Sequence, residues 1–211
     1  DGVSVCDPAS ETFYGMSRMA SGIEVPFKGD SYYETRNIPH GDIRIKRYYS
    51  EVTNSWRNFY MYTPPGYDQN TGEKYPVLYI MHGGGEDQRG WATQGKTDLI
   101  IDNLIAEKKA VPMVVVMPDG NLPGGNFGEE GLKLFEKEMK QSVIPFVEKN
   151  YRVKTDAQSR ALAGLSMGGL QTLYMGLFNT DMFSYLGVFS SGWILNMFND
   201  VAIRQYDYLQ N

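Results

Sequence analysis

The chain has 211 residues, 42% of them apolar and 13% aromatic, and a formal net charge of −5. That length suits one domain with a full core, and the acidic balance argues against the nucleic-acid-binding class, which relies on a basic patch; the clusters Arg44-Ile45-Lys46-Arg47 and Lys108-Lys109 are too small to reverse it. No apolar run has membrane-spanning length, Cys6 is alone and closes no disulfide within the chain, and no Cys/His cluster has metal-ligand spacing.

Residues 1–40 show no clear periodicity and mix Pro, Gly, Ser and aromatics. They read as an irregular but ordered lead-in. The chain starts at Asp1 with neither an initiator Met nor a leader, as expected of a processed or excised chain. From residue 41 the pattern changes. "DIRIKRYYS" and "RNFYMYTPPGYD" alternate and are rich in β-formers, which predicts an antiparallel pair whose second strand ends at Pro64-Pro65-Gly66. The apolar run 76–81 and "VPMVVVMPDGN" read as strands buried on both faces. Between them, residues 96–110 carry Leu99, Ile100, Asn103, Leu104 and Ala106 at helical spacing, with Thr97 or Asp98 as N-cap. A Gly-rich loop follows, then a long amphipathic helix with Leu132, Phe135, Met139, Val143 and Val147 on one face and a kink expected at Pro145. "SRALAGLS" is a third short strand, "MGGLQTLYMGLFN" a helix, "FSYLGVFSSG" a fourth strand, and the tail after Gly192 reads as helical.

Strands alternating with helices predict an α/β fold: a mostly parallel, doubly wound sheet with helices on both faces. Ligands of such sheets bind at the carboxyl ends of the strands. Every feature with chemical character falls there: HGGG at 82–85, Asp119-Gly120-Asn121, Ser166, and Ser190-Ser191-Gly192-Trp193.

Gly164-Leu165-Ser166-Met167-Gly168 is a G-x-S-x-G pentapeptide between a strand and a helix. That is the context of a nucleophile elbow, whose glycines are needed because side chains would collide across the turn. Ser166 is the candidate nucleophile. An oxyanion hole needs two N–H groups aimed at one point, and Met167 and Gly84 are the candidate donors. His82 is expected to shape the HGGG loop by hydrogen bonding rather than act as base, and His40 to be a turn residue.

The stretches "YPVLYIMHGGGEDQRGW", "NLIAEKKAVPMVVVMPDGN", "VIPFVEKNYRV" and "RALAGLSMGGLQTLYMGLFNTDMFSYLGVFSSG" resemble the esterase-D-like α/β-hydrolases. More narrowly they resemble carbohydrate esterase family 1, the feruloyl and acetylxylan esterases. The likeness runs from about Tyr49 to Gly192, and the lead-in resembles a linker from an upstream carbohydrate-binding module. The resemblance implies a serine hydrolase that releases ferulate, related hydroxycinnamates or acetate from xylan through an acyl-enzyme. It implies no metal or organic cofactor, a secreted, periplasmic or cell-surface bacterial location, and Trp91, Asp119 and Asn121 lining or supporting the pocket; with the charge and hydropathy above, the expected partner is a feruloylated or acetylated xylan, with no nucleic acid and no membrane span.

In this fold the acid and the histidine follow the nucleophile in chain order. The chain holds only His40 and His82, both before Ser166. Asp181 belongs to a helix-to-strand link, and Asp200 and Asp207 to the tail; none is a good triad acid. The expectation is therefore an α/β-hydrolase domain over 41–211, truncated before its last strands. The alternatives are an inactive fragment or binding protein, or another activity of the same fold such as a peptidase, lipase or acyltransferase.

Overall fold

In the computed structural model, which describes residues 2–25, 29, 31–125, 128–192 and 204, the lead-in is not irregular throughout. Glu11–Gly15 (β1) and Arg18–Gly22 (β2) pair antiparallel, with Tyr14 opposite Met19. The two-residue turn between them is Met16-Ser17, both at positive φ (53° and 59°). Such turns normally take Asn-Gly, so neither composition nor periodicity signals this hairpin. The expected tail helix, with Asp200 and Asp207, lies outside the described residues, apart from Arg204, which is helical.

The remaining strands form one six-stranded sheet: Asp42–Ser50 (β3), Ser55–Thr63 (β4), Val77–Met81 (β5), Val114–Pro118 (β6), Arg160–Leu165 (β7) and Tyr185–Phe189 (β8). Their spatial order is β3-β4-β6-β5-β7-β8. The pairs β3/β4 and β4/β6 are antiparallel; β6, β5, β7 and β8 run parallel. The apolar runs become the central strands, and every residue of β6 is buried. One face packs Tyr79, Met81, Val114, Val116 and Leu162 against Phe135, Met139, Val143 and Val147. The other packs Tyr62, Ile80, Val115, Met117 and Ala163 against Trp91, Ala92 and Ile101.

The helices are Gly90–Thr93 (α1), Thr97–Ala106 (α2), Glu129–Glu138 (α3), Ile144–Asn150 (α4) and Met167–Phe178 (α5). Helix α2 lacks the expected side-chain cap. Lys96 precedes it in a left-handed conformation, and the Thr97 hydroxyl donates instead to Trp91 O at 2.7 Å. The long amphipathic helix has the expected buried face, and it is interrupted by a π turn over Met139–Val143, where Ile144 N–H bonds back to Met139 O. Pro145, which follows, has no N–H to donate, so a wider turn there forfeits less than elsewhere in the helix.

Candidate active site at the carboxyl edge of the sheet

Ser166 stands between β7 and α5 with φ 52° and ψ −110°. Such a backbone is costly for a residue with a Cβ and persists only where its surroundings dictate it. Here they do. A Cβ on Gly164 would lie 2.2 Å from Gly168 O, and one on Gly168 would lie 2.6 Å from His82 O and 2.7 Å from Met81 O. The two glycines thus let strand, turn and helix touch backbone to backbone. Ser166 N–H donates to Phe189 O at 2.9 Å and Ser166 O accepts Leu170 N–H at 3.0 Å. The hydroxyl is left on the outside of the turn. Met167 is the first residue of α5, and N–H groups in a first helical turn have no partner within the helix.

The HGGG loop faces this turn. A Cβ on Gly83 would lie 3.7 Å from Ser166 Cβ. Gly83 N–H is committed to Glu86 Oε2 at 2.8 Å, and Gly84 follows it in the loop. His82 is buried. Its Nδ1 lies 2.8 Å from Gly83 O, which can only accept, and Gly120 N–H donates to its Nε2 at 2.9 Å. These two backbone partners select the neutral Nδ1–H tautomer. Both ring nitrogens are thereby occupied in shaping the loop, the part expected of this residue. His40 lies elsewhere: its Nδ1 is 2.9 Å from Asp102 Oδ2 and its Nε2 is 2.9 Å from Arg36 O.

Asp119 and Asn121 brace the loops at this edge. Asp119 Oδ1 accepts the Asn121 backbone and side-chain N–H groups, both at 3.0 Å, and lies 3.3 Å from His82 Nε2. Asn121 Nδ2 also donates to Glu86 O at 2.8 Å. Burial pushes the Asp119 carboxyl up, the Asn121 N–H and the Arg57 guanidinium pull it down, and the group sits below its ordinary value. Arg57 donates to Asp119 O at 2.6 Å and to Asn121 O at 2.9 Å. It is itself anchored by Glu138, 3.3 Å away and buried, whose carboxylate also takes Tyr48 OH and Ser50 Oγ at 2.7 and 2.5 Å.

Trp91 donates through Nε1 to Met81 O at 2.9 Å, and its ring lies 6.5 Å from that of Phe189. It also lines an open cavity of about 870 Å³ together with Gly84 and Glu86. Most of the other walls come from the β1–β2 hairpin and from Tyr32 and Tyr33. Ser166 is not among its lining residues. The hairpin tip is fastened to the HGGG loop, Ser17 N–H donating to Gly85 O at 2.8 Å. Arg89 stacks on the Tyr14 ring, 5.0 Å from its centroid. Nothing in the lead-in's composition points to this wall, because its contacts lie about 70 residues away in sequence. Trp193 lies outside the described residues.

A mostly parallel sheet with a strained serine at a strand-to-helix turn defines an α/β-hydrolase. The sequence model of the putative esterase family matches residues 50–199, and the chain belongs to that family. It is 40% identical over 199 residues to an endo-1,4-β-xylanase/feruloyl esterase of Xylanibacter ruminicola, covering 91% of this chain and 27% of that protein. It is 31% identical to endo-1,4-β-xylanase Y of Acetivibrio thermocellus, covering 84% of this chain and 17% of the other. The chain thus spans about a quarter or less of the length of these curated relatives. Among solved structures, the CE1 ferulic acid esterase of Anaeromyces mucronatus superposes with a TM-score of 0.71 at 30% identity, over 80% of this chain and 66% of that one. A serine-to-alanine mutant of the Clostridium thermocellum feruloyl esterase module, complexed with sinapinate, superposes at 0.67 with 27% identity, over 96% and 71%.

Proposed function

We propose that this chain is the nucleophile-bearing part of a serine carboxylic-ester hydrolase that acts on plant cell-wall xylan esters and releases ferulate, related hydroxycinnamates or acetate. The observation that carries the reading is Ser166 at φ 52° at the head of α5, with the HGGG loop within van der Waals distance of its turn. The feruloyl esterase relatives supply the acid that is released; one solved relative holds ferulic acid itself. A polymeric wall substrate places the enzyme outside the cell that makes it.

In this reading Ser166 Oγ attacks the ester carbonyl carbon while a base takes its proton. The oxyanion is held by Met167 N–H and Gly84 N–H, which are fixed before the substrate arrives. The C–O bond to the sugar breaks, the alcohol leaves with the proton, and Ser166 keeps the acyl group. Water then attacks the acyl-enzyme, and the acid departs as the serine recovers its proton. His82 and His40 are both committed to other partners. The base and its acid therefore reach Ser166 from polypeptide outside the described residues. In the same sense β8, last in the strand order, exposes Tyr185 and Phe189 on one face and Leu186 on the other, surfaces suited to cover by further structure.

The test is hydrolysis of methyl ferulate and of an aryl acetate by the polypeptide in its natural full length. Ser166→Ala is expected to lower kcat by a factor of about 10⁴–10⁶. Retention of activity in Ser166→Ala, or cleavage of a peptide ester with neither of these substrates touched, would overturn the reading.

A further inference from the structure

The β3–β4 hairpin ends at the same edge of the sheet as Ser166. Strand β4 is antiparallel to β6, with Phe59 opposite Pro118. Residues 55–58 therefore lie beyond the carboxyl end of β6, level with the loop 119–121, into which Arg57 reaches. Three cross-strand pairs share one face here: Tyr49 with Trp56, Arg47 with Asn58, and Ile45 with Tyr60. Farther along the same face Tyr62 is covered by α2, its hydroxyl donating to Asp102 at 2.6 Å. Beyond Tyr60 the cover stops. Trp56 is 68% exposed, Ile45 62% and Tyr49 41%.

The two rings are fixed rather than loose. They stand edge to face, 5.6 Å apart at 75°, and Tyr49 OH donates to Asn54 Oδ1 at 2.5 Å. From the strand order, β4 is three and β3 four strand spacings from β7, roughly 14–20 Å from the nucleophile. The shelf therefore lies on the active edge but beyond the reach of an acyl group bound at Ser166.

We propose that this shelf binds the sugar main chain of the polymer whose ester is cleaved. A pyranose ring presents C–H bonds on its faces and hydroxyls around its rim. The negative face of an aromatic ring attracts the former, and the guanidinium of Arg47 and the amide of Asn58 offer donors and an acceptor to the latter. Two rings set at a steep angle suit successive sugars of a twisted chain, and rings already fixed lose little freedom on binding. The six residues carry one formal charge, on Arg47, which fits a neutral polymer better than a nucleic acid or an acidic peptide. The proposal rests on the ester-hydrolase reading of the Ser166 edge.

The test is affinity electrophoresis and titration of the chain with arabinoxylan stripped of its esters, together with light scattering. The wild type is expected to be retarded in the polysaccharide gel. Trp56→Ala and Tyr49→Ala should each weaken Kd roughly fivefold to tenfold, the double variant should run unretarded, and Trp56→Phe should keep most of the binding. An unretarded wild type, or a double variant retarded like the wild type, overturns the proposal. So does a dimer that Trp56→Ala converts to a monomer, which assigns the face to a second copy of the chain. Both side chains are exposed, and unchanged thermal unfolding checks each variant's fold. The probe carries no ester and binding needs no turnover, so this result stands or falls apart from that of Ser166→Ala. Methyl ferulate hydrolysis, which engages the Ser166 pocket alone, is expected to be unchanged in Trp56→Ala.

Discussion

The two halves of the active edge are held by different forces. At the serine elbow, strand, turn and helix press backbone against backbone, and Gly164 and Gly168 exist to permit it. At the loop 119–121 and the HGGG loop, backbones stand apart and are joined by side chains: Arg57 on Glu138, then on the carbonyls of Asp119 and Asn121, Asn121 on Glu86, and Glu86 on Gly83. Steric fit is unforgiving but local. A polar relay spans the sheet, but each of its members must be satisfied or the whole costs more than an apolar substitute.

The largest effect is expected where the relay is deepest. Glu138→Ala removes the nearer counter-ion of buried Arg57, leaving only Asp119 Oδ2 at 4.0 Å, and should lose up to about 3–5 kcal/mol in denaturant unfolding. Glu138→Gln, which can still accept from Tyr48 and Ser50, should lose less. Equal stability of Glu138→Ala and wild type would erase the contrast between the two halves. On the steric side, Gly168→Ala drives a methyl into two carbonyls and should cost about 1–3 kcal/mol, with kcat falling as the turn carrying Ser166 shifts. A variant with wild-type kcat and stability would show the elbow to be softer than its contacts imply.

A smaller effect sharpens the comparison at the joint. Glu86→Ala frees the N–H of buried Gly83, so the HGGG loop should loosen. The expected outcome is a drop in kcat of roughly tenfold with little change in KM, restored by Glu86→Gln, which can still accept that N–H. The smallest effect lies away from the site. The hydrogen bond to Asp102, helped by that to Arg36 O, raises His40 above its ordinary 6.5. Its contribution to stability is thus complete below about pH 6.5 and is lost as the pH climbs through the raised value. The wild type should lose Tm across that window relative to His40→Ala, whose profile should be flatter there.

The same contrast explains what the sequence discloses. The elbow is legible because steric need writes glycines at fixed offsets from one serine, all within five residues. The central strands are legible because burial on both faces leaves unbroken apolar runs such as "VVVM". The relay is not legible: Arg57 and Glu138 are 81 positions apart, and Glu86 and Asn121 are ordinary polar residues until β5 and β6 bring them together. The β1–β2 hairpin is missed for another reason. Its Met16-Ser17 turn takes positive φ without the glycine or asparagine that would announce it. The cap on α2 is misjudged because the Thr97 hydroxyl finds a better acceptor in Trp91 O.

The strand order has a consequence for the order in which the chain comes off the ribosome. Strand β5 is made early, yet both its neighbours, β6 and β7, come later, β7 about eighty residues on. Until then an apolar segment, Val-Leu-Tyr-Ile-Met, has two open edges, the arrangement most prone to pairing with another chain. Closing it requires contacts distant in sequence, which form slowly. The HGGG loop, synthesised next to β5, thus waits for the Ser166 turn it packs beside, and the nascent chain is most exposed to aggregation during that interval.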